Sequence, residues 1–174
     1  MNFDDRRMVE KEELLSILKA RNIPFAYEDH ERVLNMAESS ELRLSLEGTR
    51  CKNLLLQDKQ GHVYLVVTTS EKALDLSAAA KSIGSKRLSF ASAERMQGML
   101  GVLPGSLSPL ALINDVEPSI DLVVDAELQG EPTFLFHPLD SAATLSISRL
   151  DLEAFLSSTG HKIEWATLAT RLAA

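Results

Sequence analysis

The sequence predicts an α/β fold in which helices flank a mixed β-sheet of about seven strands, in a single domain spanning residues 1–174. The first observation is composition: 45% of the 174 residues are hydrophobic and 25% are charged, which is typical of a globular domain with its own core. The second is periodicity, because roughly four or five segments have the apolar spacing of helices and about seven have that of strands. The third is order: strands come partly in hairpins and partly alternate with helices, which favours a mixed sheet over a doubly wound parallel one.

The N-terminal segment is predicted to form two helices and a short strand. Residues 10–20 have an apolar side with helical spacing, and Pro24 ends that helix. A strand begins at Phe25. Residues 36–46 have the pattern of a second helix, which Gly48 ends.

A β-hairpin follows. Asn53–Gln57 and Val63–Thr68 are apolar strands, and Asp58–His62 between them contains a glycine available for a turn.

The next region is predicted to contain two helices. Ser70 is the predicted N-cap of a helix over residues 71–83, which Gly84 ends. A short strand over residues 88–90 and a helix over residues 92–99 come next.

The C-terminal half is predicted to be rich in short strands. Glycines and prolines over residues 98–109 indicate a shaped loop. A capping box at Ser148–Asp151 opens a helix that runs to about Ser158 and ends at Gly160. The predicted strands cover residues 111–113, 120–124, 133–136, 144–147 and 163–167.

Charge limits the classes of partner. The net charge of −7 argues against indiscriminate binding of nucleic acid. Residues 43–95 carry nine Lys and Arg against five Asp and Glu, whereas the segments on either side are acidic. Such a basic middle can contact a polyanion locally, although mixing of the segments in space is the simpler interpretation. The chain has no apolar signal segment and no apolar run of membrane-spanning length, so we expect a cytoplasmic protein without membrane contact.

Several familiar chemistries lack their motifs. There is no Gly-rich phosphate-binding motif and no nucleophile elbow. The four histidines stand far apart without metal-ligand spacing, so neither a metal nor a cofactor is predicted.

The single cysteine excludes an internal disulfide and raises the question of a nucleophile. Cys51 precedes Lys52, which could lower the pKa of its thiol. Adjacent side chains of a strand point to opposite faces, however, so Cys51 faces the core if Lys52 faces a cleft. Burial as a small hydrophobic residue is therefore the favoured interpretation.

Three segments carry a family resemblance. The first runs from Gly48 to Asp58, the second from Gly101 to Asp115, and the third from Thr133 to Ile147. In this order they resemble the YbaK/ProX family of aminoacyl-tRNA editing domains. Within that family they are most similar to free-standing deacylases that remove alanine from proline-specific tRNA. The resemblance extends from the first helix to residues 160–161.

The resemblance implies a set of site residues. Lys52 matches the family's principal functional lysine, and Asn53 follows it as a substrate-binding residue. Gly105-Ser106-Leu107-Ser108-Pro109 matches the family's G-x-x-x-P loop, with Gly105 in the catalytic set and Ser106 and Pro109 in substrate binding. A lysine suits a phosphate or terminal ribose, and glycine allows the backbone to approach a ligand. Without the resemblance, a solvated strand-end lysine is the favoured interpretation of Lys52, and an ordinary turn with a structural proline remains open for the loop.

The resemblance implies further roles for a histidine and an arginine. His137 matches the family's histidine after a strand, where it lines the aminoacyl pocket or holds the substrate amine, and Pro138 beside it is a substrate-binding residue. Arg87 resembles an acceptor-stem contact. Asp140 departs from the asparagine expected after the His-Pro pair, which affects the detail of the pocket. On the residues alone, a structural histidine and a solvated arginine remain open.

The function implied by the resemblance is trans-editing: hydrolysis of mischarged aminoacyl-tRNA, in the first place Ala-tRNA(Pro). An aminoacyl ester is already activated, so positioning of the ester and a water suffices without a covalent nucleophile. The partner is tRNA, through its aminoacylated 3′ end and acceptor stem, and a prolyl-tRNA synthetase is a further candidate. The alternative is a non-catalytic tRNA-binding or synthetase-associated module of the same fold.

Overall fold

The computed structural model describes residues 7–32 and 44–172, and it has the α/β architecture with a mixed sheet that the sequence predicts. The α-helices are α1 (Lys11–Ala20), α2 (Leu76–Ile83), α3 (Ala93–Leu100) and α4 (Arg149–Ser158). The strands are β1 (Ala26–Asp29), β2 (Thr49–Gln57), β3 (Val63–Thr69), β4 (Ser89–Phe90), β5 (Ile120–Asp125), β6 (Thr133–Phe136), β7 (Ala143–Ser148) and β8 (Ile163–Ala166). Two 3₁₀ helices cover Pro109–Asn114 and Ala126–Leu128.

The strands form one sheet in the order β1-β7-β6-β2-β3-β5-β8, and β4 pairs with the end of β2. The hairpin β2–β3 is antiparallel, as are β1–β7, β6–β7 and β2–β4. The pairs β2–β6, β3–β5 and β5–β8 are parallel. The predicted mixed sheet and its hairpin are therefore confirmed.

The two faces of the sheet differ in what covers them. The first face carries the main core, to which α1, α3, α4 and the first 3₁₀ helix contribute buried residues such as Leu18, Leu100, Phe155 and Leu110. The second face carries a smaller cluster under α2, containing Leu56, Val66, Val123, Ala79 and Leu168. This smaller cluster covers the β2–β3–β5 part of the second face, and Lys52 lies on that same face because it alternates with Leu54 and Leu56.

A buried hydrogen-bonded pair of side chains joins the end of α4 to the connection before β5. His161 Nε2 lies 2.8 Å from Asp115 Oδ2, and both side chains are almost fully buried. Asp115 also accepts hydrogen bonds from Ser119 and from the backbone N–H of Ile120. Both oxygens of the Asp115 carboxylate accept hydrogen bonds. The pair therefore holds the start of β5 against the segment that ends α4.

The start of α2 differs from the prediction. The helix begins at Leu76 with Asp75 as its N-cap, so Ser70 does not cap it and residues 71–75 are not helical. Those residues instead form a turn and a backbone bridge between Leu74 and Thr170. The contact with the C-terminal segment, which is remote in sequence, overrides the local helical pattern. Gly84 ends the helix at φ +78°, as predicted.

The predicted strand over residues 111–113 is wrong. Pro109–Asn114 forms a 3₁₀ helix, in which Pro109 occupies the first turn and Ser108 caps through its hydroxyl. Proline at this position has the required φ and lacks only an N–H that would have no partner in the helix. A short apolar run does not distinguish a buried strand from a buried helical turn, which explains the error.

The predicted helix over residues 36–46 lies mostly outside the described residues, and residues 44–46 within them are not helical. Most other element predictions agree with the structure to within a few residues. In the described ranges no helix is both long and apolar enough to cross a bilayer.

Candidate functional site

The candidate site lies where β2 and β6 separate. These parallel strands pair at two positions only, Thr49 with Phe134 and Arg50 with Leu135. Extending that register by two positions brings Lys52 and His137 to the same edge of the sheet, beyond the last paired residues. Crevices at the carboxyl ends of parallel strands are the usual ligand sites of α/β sheets. These two residues are 85 positions apart in the sequence, and this edge of the sheet is the candidate site.

A hydrogen bond to a backbone carbonyl group orients the ammonium of Lys52. Its Nζ donates a hydrogen bond to the carbonyl oxygen of Lys72 at 2.5 Å. A lysine ammonium has three N–H donors, so the other two remain available to a ligand. Across residues 7–32 and 44–172, no carboxylate oxygen lies within 4.0 Å of Lys52 Nζ.

Cys51 faces the core, as predicted from the alternation of strand side chains. It is 8% exposed and packs within the main cluster on the first face. Burial, followed by the nearby charge of Glu131, raises the pKa of its thiol to about 12. The thiolate is therefore negligible at neutral pH, which removes Cys51 as a nucleophile.

Asn53 is half-buried on the same strand. Its Oδ1 is shielded from solvent and accepts no hydrogen bond from any described residue. By strand alternation Asn53 lies on the first face with Cys51, on the opposite side of the sheet from Lys52, so the structure does not bring these two predicted site residues together.

The Gly105–Pro109 loop lies next to His137. Ser108 Oγ donates to the carbonyl oxygen of His137 at 2.9 Å, which ties the loop to the end of β6. Gly105 has φ +94°, a conformation that favours glycine. Ser106 and Pro109 are buried, so both shape the loop rather than present side chains at an open surface.

The backbone of this loop offers hydrogen-bond donors. The N–H groups of Gly105, Leu107 and Ser108 make no hydrogen bond to another described residue, whereas that of Ser106 bonds to the carbonyl oxygen of Leu103. Unpaired N–H groups in a loop that approaches the site can hold an ester carbonyl oxygen or a water.

His137 is held in one tautomer. Its Nδ1 lies 2.7 Å from the carbonyl oxygen of Ala143, which only accepts, so Nδ1 carries the proton. Burial lowers the pKa of His137, and this outweighs the hydrogen bond to Ala143. The ring is therefore neutral at pH 7, and its Nε2 is an acceptor without a partner in the described part of the chain. Pro138, which follows it, is buried.

A second histidine borders His137. The His30 ring lies 6.0 Å from that of His137, edge to face. His30 is fixed by the carbonyl oxygen of Glu31 at Nδ1 and by Thr144 Oγ1 at Nε2, 2.8 Å away. No sequence motif marks His30, because its partner Thr144 is 114 residues distant.

Asp140, which stands where the family has asparagine, is held by positive charge. Arg32 Nη1 lies 3.0 Å from its Oδ1, and Lys11 Nζ lies 4.0 Å from its Oδ2. Asp140 also accepts from the N–H of Ala142, within the turn that follows His137. The carboxylate therefore braces this turn and does not face the site with an unbalanced charge.

Arg87 lies away from the Lys52–His137 pair. It follows α2 and is exposed, with a positive φ of 30°. Together with Lys81 and Ser85 it lines an open cleft beside the smaller cluster. Since β4 follows directly and pairs with the end of β2, Arg87 is nearer to the opposite end of β2 from Lys52.

Sequence reasoning also missed the buried pair formed by Lys72 and Asp125, which lies behind Lys52. Asp125 directly follows the buried residues 122–124 of β5, and a charge at the end of a buried run is the one signal that was present. Among the described residues there is no group of three or more His, Cys, Asp or Glu arranged to hold a metal.

The chain matches a protein-family model and is similar in sequence to known proteins. Residues 30–155 match a family model described as the aminoacyl-tRNA editing domain. The chain is 32% identical over 152 residues to the prolyl-tRNA editing protein ProX of Acetoanaerobium sticklandii, covering 87% of this chain and 93% of that protein. It is 33% identical over 153 residues to prolyl-tRNA synthetase associated domain-containing protein 1 of Danio rerio, covering 87% and 83%.

A solved structure shares the fold. It belongs to a protein described as a candidate trans-editing enzyme for prolyl tRNA synthetase, and it superposes with a TM-score of 0.67 over 92% of this chain and 99% of that one. At 18% sequence identity, this likeness bears on the fold alone.

Proposed function

The chain belongs to the aminoacyl-tRNA editing domain family, and from that premise we propose that it hydrolyses mischarged aminoacyl-tRNA in trans, with Ala-tRNA(Pro) as its substrate. The observation that supports this most is the register between β2 and β6. Extended past its last pair, it brings the ammonium of Lys52, which has no carboxylate partner among the described residues, to the same edge of the sheet as the neutral ring of His137. These two kinds of group suit a substrate that is both a polyanion and an aminoacyl ester. Such a substrate implies a cytoplasmic location.

Each group has a chemical role in this proposal. Lys52 binds the terminal phosphate or ribose through its two remaining N–H donors. The Nε2 lone pair of His137 accepts from the α-ammonium group of the esterified amino acid, which a protonated ring would repel. The free N–H groups of the Gly105–Pro109 loop polarise the ester carbonyl and stabilise the oxyanion as water attacks. The carbon–oxygen ester bond then breaks, giving free amino acid and uncharged tRNA.

No side chain needs to act as a nucleophile. Cys51 is excluded by its burial and its raised pKa. The ester leaving group is a ribose hydroxyl, so a positioned water suffices, with the substrate's vicinal hydroxyl as a candidate proton relay.

The decisive experiment compares deacylation of Ala-tRNA(Pro) by the wild type, Lys52→Ala and Lys19→Ala. We expect Lys52→Ala to lower kcat/KM by about a hundredfold, because a positioning contact in the transition state is lost. Lys19 is exposed in the last turn of α1, which packs on the first face. Lys19→Ala changes the net charge equally and should leave kcat/KM unchanged.

Two results would count against the proposal. Equal rates for Lys52→Ala and Lys19→Ala would remove Lys52 from the site. A wild type that binds Ala-tRNA(Pro) in a filter assay but hydrolyses none would favour the alternative, a non-catalytic tRNA-binding or synthetase-associated module. Parallel assays with Cys-, Ser- and Pro-tRNA(Pro) test the choice of alanine, since pockets discriminate one methylene by only about 1–3 kcal/mol. Adding prolyl-tRNA synthetase to the same assay tests whether it is a partner.

A further inference from the structure

The Lys72–Asp125 pair is a buried charge network outside the proposed chemistry. Lys72 Nζ lies 2.7 Å from Asp125 Oδ2, 2.7 Å from Glu127 Oε2 and 2.7 Å from the carbonyl oxygen of Leu168. These three acceptors use all three N–H donors of the ammonium. The Lys72 side chain is 8% exposed and that of Asp125 is 1% exposed.

Asp125 is saturated in the same way. Its Oδ2 accepts from Thr68 Oγ1 at 2.6 Å as well as from Lys72, and its Oδ1 accepts from the N–H of Glu127. Burial alone would raise the pKa of this carboxyl, but the bonds from Lys72, Thr68 and Glu127 lower it. A network in which every polar atom is satisfied is rigid, because any movement leaves a buried charge without a partner.

This network reaches Lys52 by two routes. The carbonyl oxygen of Lys72 accepts the hydrogen bond of Lys52 Nζ, so the side chain of Lys72 fixes the acceptor that its own backbone provides. Thr68 is also the residue directly opposite Lys52 in the β2–β3 hairpin. The turn at Thr69–Lys72, before α2, is therefore bonded to β5 through the Lys72 side chain and to Lys52 through the Lys72 carbonyl group.

The charges of Lys72 and Lys52 are therefore compensated differently. The charge of Lys72 is matched by Asp125 and Glu127 and is closed to solvent. Lys52 has a neutral acceptor instead, so its direction is fixed while its charge stays available to a polyanion.

We propose that Lys72 and Asp125 are positioning residues for Lys52: the buried pair holds the Lys72 carbonyl in place, and that carbonyl aims the Lys52 ammonium at the substrate. This inference rests on the proposed function, since it assigns the use of the same site. The pair itself touches no reacting atom.

The test is a double-mutant cycle on deacylation of Ala-tRNA(Pro) with Lys72→Met and Lys52→Ala. In the wild-type background, Lys72→Met should lower kcat/KM by about tenfold, because a misaimed positioning group loses transition-state contact. In the Lys52→Ala background, the same change should have no further effect, since the group through which it acts is gone. Lys72→Arg, which keeps the cation, should recover part of the loss.

Asp115→Asn is the matched control, because it disrupts another buried side-chain pair that contacts neither Lys52 nor Lys72. It should lower stability while leaving kcat/KM unchanged. If Lys72→Met does not fold, Asp125→Asn, which keeps the side-chain shape, replaces it in the cycle.

A second measurement is independent of activity. Competitive acetylation of the amines, read by peptide mass spectrometry, gives the reactivity of Lys52 relative to exposed Lys19. The ratio should rise severalfold in Lys72→Met and stay at the wild-type value in Asp115→Asn.

The outcomes separate the two proposals. A wild type without deacylase activity would end the proposed function, and the acetylation ratio would still decide whether Lys72 positions Lys52. An active wild type with additive effects in the cycle, or with an unchanged ratio in Lys72→Met, would overturn the positioning role alone.

Discussion

At the scale of the residue, His137 shows how burial selects a protonation state. One ring nitrogen donates to the carbonyl oxygen of Ala143, and the lowered pKa keeps the other nitrogen free as an acceptor. The neutral ring suits a cationic amine, which the charged ring would repel. A histidine after an apolar strand is common in sequences, but its tautomer depends on a carbonyl supplied by the next strand.

The pH dependence of His137 has a definite sign. Its pKa is about 6.5 in the unfolded chain and lower in the folded one. Above about pH 6.5 neither state is protonated, and as the pH falls below that value the unfolded state binds its proton first, so stability decreases. Activity depends on the folded ring, so we expect kcat/KM to fall only as the pH drops through the lowered pKa of folded His137.

Two substitutions separate the two nitrogens of His137. His137→Asn keeps an amide donor toward Ala143 but has no acceptor at the Nε2 position, so we expect kcat/KM to fall about tenfold with little change in stability. His137→Gln can reach the Nε2 position with its carbonyl oxygen and should retain more activity. Equal activity in the two variants would show that His137 only fills space.

At the scale of the element, short helices and turns were harder to predict than strands. The β2–β3 hairpin and the Ser148 cap of α4 follow from local signals, namely apolar alternation beside a glycine turn and a polar residue before a helix. The first turn of α2 is displaced by a distant contact with Thr170, which no local window contains. The same reason hid the Lys72–Asp125 pair. The 3₁₀ helix after Ser108 was missed because a short apolar run does not distinguish a strand from a helical turn.

The Asp115–His161 pair joins two elements and gives a stability prediction. Asp115→Ala should lower the free energy of unfolding by about 3 kcal/mol, because it leaves His161 buried without its partner. Asp121 forms an exposed pair with His62 at the same distance of 2.8 Å, and Asp121→Ala should cost less than about 1 kcal/mol. Denaturant unfolding of both variants measures the difference. Similar losses would mean that the buried pair contributes no more than the surface pair.

The loss of folding stability at low pH follows from the Asp115 carboxyl group. Burial alone would raise the pKa of Asp115, but bonds from His161, Ile120 and Ser119 lower it below its unfolded value of about 3.9. Its contribution is therefore present above about pH 4 and is lost as the pH falls through the folded pKa. Asp115→Asn should flatten that part of the curve of stability against pH.

At the scale of the whole molecule, an acidic protein must bind an acidic partner. The net charge of −7 disfavours contact with tRNA at random orientations, whereas residues 43–95 are net positive and include Lys52 and Arg87. Lys52 and Arg87 lie toward opposite ends of β2, so a strand of nucleic acid that touches both must run along it. The uneven charge is visible in the sequence, but the positions of these two cations along β2 follow only from the sheet.

The salt dependence of tRNA binding tests whether Arg87 contacts the phosphate backbone of the tRNA. Arg87→Ala should weaken tRNA binding and make the plot of log affinity against log salt concentration shallower by about 0.7–0.9, because roughly one phosphate contact is lost. Arg21→Ala is the matched control, since Arg21 ends α1 and bonds to Ser158. Equal slopes for the two variants would remove Arg87 from the tRNA path.

The division between the two faces of the sheet has an evolutionary consequence. The main core lies on the first face, while Lys52 emerges from the second, beside the point where β2 and β6 part. Substitutions beside Lys52 on the second face therefore leave most of the packing that stabilises the fold untouched, whereas changes in the Gly105–Pro109 loop reach the main core through Leu107. Under the proposed function, a change of substrate amino acid costs the least stability where the crevice wall belongs to the second face.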